Sequence, residues 1–133
     1  MAQKQGPSST RGGRLDASIG TALAAGDVAL GAGWGATTVA IAAGSNAQAG
    51  RLTLTCATGG GLAQATATVT ITFPDGAYNA APWGFMLTTN DNSIDTGRLA
   101  TTTTTTALVG TYSVLPVNAK IYIIDYFVIA KAG

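Results

Sequence analysis

From residue 44 onward, apolar and polar positions alternate with a period of two and are interrupted by glycine, proline and asparagine, the pattern of half-buried strands joined by turns. Arg51-Leu-Thr-Leu-Thr-Cys-Ala57 predicts a strand with Leu52, Leu54 and Cys56 inward and Arg51, Thr53 and Thr55 outward. Residues 66–73 predict another, with Ala67, Val69, Ile71 and Phe73 inward, four threonines outward and a turn at Pro74-Asp-Gly76. Thr37-Thr-Val-Ala-Ile-Ala42 and Trp83-Gly-Phe-Met-Leu-Thr88 predict two more, the second closed by the polar stretch Thr89-Asn-Asp-Asn-Ser93. The six threonines at 101–106 are β-branched and predict an edge or surface strand, with a register that apolar neighbours must fix. Thr111-Tyr-Ser-Val-Leu115 and a turn at Pro116-Val-Asn118 lead into the last run.

That last run, Ile121-Tyr-Ile-Ile-Asp-Tyr-Phe-Val-Ile129, is apolar on both faces. Ile121, Ile123, Asp125, Phe127 and Ile129 share one side, and Tyr122, Ile124, Tyr126 and Val128 the other. One side is expected to close a two-sheet core and the other to be covered by a loop or a neighbouring subunit. Tyr122, Ile124, Tyr126 and Val128 are the expected oligomer interface. Asp125, within this apolar strand, is expected to pair with Arg51, Arg98 or Lys120.

Residues 1–14 have no apolar periodicity and carry Lys4, Arg11 and Arg14 without an acid, so they read as a basic arm that orders on a partner. Leu15, Ile19 and Leu23 fall four apart, which predicts a short helix ended by Gly26; the competing reading is an extended connector with Asp27-Val-Ala-Leu30 as a strand. In Gly31-Ala-Gly-Trp-Gly35 the lone Trp34 is expected to lie against the fold while the backbone turns tightly around it. Its glycine spacing is not the dinucleotide fingerprint, and no P-loop lysine follows. The expected division is an attachment arm over residues 1–30 and a β-sandwich body over residues 31–133.

The chain has 133 residues, of which 10% are charged; every acid is Asp, His is absent and the formal net charge is +1. One domain with a real core fits this length. Without His, the usual hydrolase triad and any imidazole metal site are excluded, and the scattered aspartates offer no glycosidase pair, so no enzyme and no cofactor are expected. Asp91, Ser93 and Asp95 alternate as calcium ligands can, but the EF-hand glycine and distal Glu are missing, so no metal is expected. Three basic residues without interleaved aromatics argue against nucleic acid. No run approaches the ~18 apolar residues of a membrane span, and no secretory signal is visible, so a soluble chain is expected. Cys56, the single cysteine, is expected to be a buried thiol.

The series Gly31-Ala-Gly-Trp-Gly35, Thr38-Val-Ala-Ile41, Gly44-Ser-Asn with Gly50-Arg-Leu-Thr-Leu-Thr55, Val69-Thr-Ile-Thr-Phe73 with Asp75-Gly-Ala-Tyr-x-x-Ala-Pro82, and Tyr126-Phe-Val-Ile-Ala130 resembles a β-sandwich module of bacteriophage head-decoration, head-fibre and tail-fibre proteins. The resemblance implies an all-β, antiparallel, jelly-roll-like sandwich of eight or so strands, usually a homotrimer, displayed on the virion. A polythreonine run stands where the family has a more varied strand. No coiled-coil or collagen-like stem precedes the module, which favours a short head fibre over a projecting tail fibre. The chain is thus expected to be made in the host cytoplasm and to decorate the outer capsid surface, binding the major capsid protein through Lys4, Arg11, Arg14, Leu15, Ile19 and Leu23. The alternatives are a minor tail structural protein and a receptor-binding tip for host surface glycan, for which Trp34, Tyr78 and Trp83 are the candidate stacking residues.

Overall fold

The computed structural model describes residues 10–11, 14–15, 20–59, 61–63, 66–90, 99–112 and 115–131. It is an all-β sandwich of two four-stranded antiparallel sheets. The first sheet runs β4 (Thr38–Ile41), β5 (Ala49–Thr55), β10 (Ile121–Ile129), β7 (Trp83–Thr88); the second runs β3 (Val28–Leu30), β6 (Thr68–Thr72), β9 (Ala107–Tyr112), β8 (Leu99–Thr103). Among these strands, β4–β5 and β8–β9 are neighbours both in sequence and in a sheet, and the other sequential connections cross from one sheet to the other. A separate two-stranded ladder joins β1 (Thr10–Arg11) to β2 (Arg14–Leu15), with Arg11 opposite Arg14.

The alternating runs fold as their pattern dictates. Leu52, Leu54, Cys56, Ala67, Val69, Ile71 and Phe73 are all buried between the sheets, with Arg51, Thr53 and Thr55 on the other side of their strand. β10 occupies the position its apolar character demands, paired with β5 on one side and β7 on the other. Where β9 ends and β10 begins, the core holds a three-ring cluster. Trp34 lies 5.8 Å from Tyr112 and 5.7 Å from Tyr122 between ring centroids, and the two tyrosines are 5.1 Å apart. A 3-10 turn over Ala32–Trp34 carries the indole inward, and Gly33 lies so close to the backbone leading into β6 that a Cβ there would sit 2.2 Å from the Ala63 carbonyl oxygen and 2.4 Å from the Ala67 nitrogen. Glycine is required by that approach.

Four expectations are corrected. First, Tyr122, Ile124, Tyr126 and Val128 are at most 3% exposed and face the second sheet, so they build the core and not an oligomer interface. The Tyr122 hydroxyl accepts the Val117 N–H at 3.0 Å, and the Tyr126 hydroxyl donates to the Asn46 carbonyl at 2.6 Å; these loop partners let both tyrosines be buried without an unpaired hydroxyl. Second, the body begins by residue 20 rather than 31. Leu23 is 8% exposed in the core, its N–H donates to the Ser45 carbonyl at 3.0 Å, and β3 is a full member of the second sheet.

Third, the helix predicted on Leu15, Ile19 and Leu23 is absent where it is described. Leu15 is in β2, and residues 20–23 run extended against 45–47, with the Ala47 N–H donating to the Thr21 carbonyl at 2.8 Å; Ile19 lies outside the described residues. These backbone partners outside the segment win over a periodicity that contains Gly20. Fourth, the threonine run is divided. Thr101 to Thr103 extend β8, an edge strand as expected, but the Thr104 hydroxyl accepts the N–H groups of Thr106 and Ala107 at 3.2 and 3.0 Å and turns the chain. The next strand, β9, therefore starts at Ala107.

Candidate functional site

β7 and β10 each turn one set of side chains inward and one outward. On β7, Met86 and Thr88 are 2% and 3% exposed, while Trp83, Phe85 and Leu87 point outward at 63%, 42% and 46%. Gly84 shares the inward parity of Met86 and Thr88. A Cβ on it would lie 3.1 Å from a Leu108 methyl and from the Phe127 carbonyl oxygen and 3.2 Å from the Thr103 methyl, so a larger residue there would press on the second sheet by a few tenths of an ångström. The Thr103 hydroxyl ties the two sheets together there by donating to the Pro82 carbonyl at 2.8 Å.

The register sets Trp83 opposite Ile129, Phe85 opposite Phe127 and Leu87 opposite Asp125. The Phe85 and Phe127 rings meet edge to face, and Ile121 and Ile129 are 49% and 41% exposed at the two ends of β10. The result is an apolar surface on half of the outer face of the first sheet, interrupted on β10 by Asp125. Its boundary on the β5 side is Arg51 and Asp125, opposite each other in the ladder and joined by two hydrogen bonds, Nε to Oδ1 at 2.6 Å and the second guanidinium nitrogen to Oδ2 at 2.9 Å. Each holds the other charged: the hydrogen bond from Arg51 lowers the Asp125 pKa, and Asp125 raises that of Arg51. Asp125 was expected to be paired, and Arg51 is the partner. The pair lies on the solvent side of the sheet and not in the core, so it removes charge from the face more than it stabilises the fold. Beyond it Thr53 and Thr55 continue the face as a polar surface.

The expected attachment residues are dispersed. Lys4 and Ile19 lie outside the described residues; Arg11, Arg14 and Leu15 fall in β1 and β2, which pair with each other and with neither sheet; Leu23 is in the core. Of the candidate sugar-stacking residues, Trp34 is fully buried and Tyr78 is half-buried with its ring against Phe73 at 5.0 Å. That burial, with Asp75 nearby, raises the Tyr78 pKa. Trp83 alone of the three is exposed, with Lys131 Nζ 4.0 Å from its ring centroid. Asp91, Ser93 and Asp95 lie outside the described residues.

The described carboxylates each have a structural partner: Asp27 accepts the Ala24 N–H at 2.8 Å, Asp75 accepts the Thr21 hydroxyl, and Asp125 holds Arg51. Among the described residues, no three His, Cys, Asp or Glu side chains come together as a metal would need, and no helix is long and apolar enough to cross a membrane. A cleft of about 380 Å³ between Leu23, Val39 and Ile41 is open and small, and a shallow depression of about 560 Å³ lies beside Arg51, Asp125 and Phe127. Neither gathers groups for acid–base or nucleophilic chemistry. The surface that stands out is the apolar one on β7 and β10, which sequence reasoning approached through Trp83 and through the expectation that one side of the 121–129 run needs a cover, while assigning the interface to the other side of that strand. The signal was present in the alternation Trp83, Phe85, Leu87, but Met86 on the opposite parity is apolar too, and only Gly84 distinguishes the inner set. No family model, curated protein or solved structure matches the chain.

Proposed function

We propose that the chain is a structural virion protein that decorates the outer surface of a phage capsid as a homotrimer, its sandwich displayed and its N-terminal segment attached to the shell. The observation that carries this reading is that β1 and β2 pair with each other and with neither sheet of the body: Arg11 and Arg14 belong to a ladder of their own. The resemblance noted in the sequence supplies the virion context. Attachment works through Lys4, Arg11 and Arg14 pairing with carboxylates of the major capsid protein, and three-fold symmetry multiplies a weak contact into stable binding. Leu23 and residues 20–30 are not part of the attachment segment, because the body uses them.

Co-sedimentation with phage heads that do not carry the protein tests this reading. The full chain is expected to pellet with heads, and a variant lacking residues 1–19 to stay in solution. Failure of the full chain to bind removes the decoration reading. A second reading, a receptor-binding tip for host surface glycan, is favoured by the exposed Trp83 ring and by no other candidate aromatic. It predicts glycan binding that Trp83→Ala abolishes.

A further inference from the structure

We infer that the outer face of β7 and β10 is the surface on which copies of this chain meet one another. The inference rests on the homotrimer part of the proposed function and not on capsid binding. Trp83, Phe85, Leu87, Ile121 and Ile129 together expose on the order of 500 Å² of apolar surface, near the upper end of what a monomeric protein leaves open. A stable interface buries roughly 800 Å² on each partner, with an apolar centre and a polar rim. The patch has the dimensions of such a centre, and the Arg51–Asp125 pair with Thr53 and Thr55 forms the rim on its β5 side.

Charge selects the occupant. On the four strands of this face the only ionisable side chains with a charge are Arg51 and Asp125, and they are bonded to each other. Lys131, just beyond β10, sits over the Trp83 ring. The four strands thus carry no uncompensated charge, and with Lys131 confined to the Trp83 end the centre of the face meets its own copy without like-charge repulsion. It presents no basic cluster for an anionic lipid surface and no field to recruit a charged partner. The chain's own residues 1–19 contain only Leu15 and Ile19 among Leu, Ile, Val, Phe, Tyr and Trp, too few to cover it. A second copy brings the complementary chemistry, aromatic and aliphatic surface with a neutral hydrogen-bonding rim.

The test is sedimentation of the full chain and of three single variants over a concentration series. The wild-type chain is expected to sediment as a small closed oligomer, three times 13.2 kDa for a trimer, and to dissociate on dilution. Phe85→Lys and Leu87→Lys are expected to reduce the mass to that of one chain while circular dichroism retains the strand spectrum and a cooperative melt. Thr102→Lys, on the outer face of the second sheet, is expected to leave the oligomer intact. Should Phe85→Lys fail to fold, Leu87→Lys decides. A wild-type chain that is monomeric throughout, or an oligomer that persists in a folded Leu87→Lys variant, overturns the inference. Loss of head binding with self-association preserved removes the capsid reading and leaves this one standing.

Discussion

The two sheets present the same core surface to each other and opposite surfaces to the outside. The second sheet turns Thr68, Thr70 and Thr72 outward from β6, Thr111 from β9 and Thr102 from β8, with Val109 and small alanines between them, a threonine-rich face that suits water and carries no charge. The first turns Trp83, Phe85, Leu87, Ile121 and Ile129 outward from β7 and β10. Threonine has the β-branched shape a strand favours, so β-propensity does not explain why one face received it and the other received large apolar side chains. The difference is one of solvation: the threonine face is built to stay wet and the β7–β10 face to be covered.

The largest effect that sharpens this contrast separates the two sides of β10. Ile124→Ala, in the core, is expected to cost about 2–5 kcal/mol in urea unfolding, as buried large-to-small changes do. Ile121→Ala, on the outer side of the same strand, is expected to change the stability of the dissociated chain by less than about 1 kcal/mol. Equal losses at the two positions contradict the assignment of inner and outer faces.

Next in size is an alkaline transition. Burial, with a smaller contribution from Asp27, pushes the Tyr126 pKa from 10.0 up to about 12. The folded state thus holds a proton that the unfolded chain releases first. Its contribution is fully present below pH 10 and is lost as pH rises toward 12, by about 2 kcal/mol. Unfolding titrations between these values check it, and Tyr126→Phe is expected to flatten the loss. Thr104→Ala, which removes the hydroxyl accepting two turn N–H groups, is expected to cost about 1 kcal/mol through the β8–β9 connection.

The smallest effect belongs to the Arg51–Asp125 pair. Asp125 has a depressed pKa, so its contribution is present above 3.8 and is lost as pH falls through the folded value. Because both side chains lie on the solvent side, Asp125→Asn is expected to leave the melting temperature nearly unchanged. In the assembled protein the same substitution leaves an unpaired Arg51 at the rim, and a weaker oligomer is the expected outcome.

The fold was legible wherever one parity was apolar and the other threonine, as in β5 and β6. It was ambiguous where both parities were apolar. In β10 the tyrosines look more fit for an interface than Ile121, Phe127 and Ile129, yet their hydroxyls find loop partners inside the fold, a long-range fact that no local pattern contains. In β7 the inner set is marked by Gly84, whose meaning depends on Thr103 and Leu108 of the other sheet. The threonine run misled because a hydroxyl serves a strand surface and a turn equally well, and Thr104 takes the second role. Leu23 and β3 were assigned to an arm because their partners, Ser45 and β6, lie far along the chain.

The most direct measurement on the covered-face claim is acrylamide quenching of tryptophan fluorescence in the wild-type chain. Trp34 is fully buried and Trp83 is 63% exposed in the single chain, so the quenchable emission reports Trp83. If copies meet on β7 and β10, little emission is quenchable in concentrated protein, and the quenchable fraction rises on dilution and in Leu87→Lys. A quenchable fraction that is large at every concentration and unchanged by Leu87→Lys means that the face is open to water, and the claim fails.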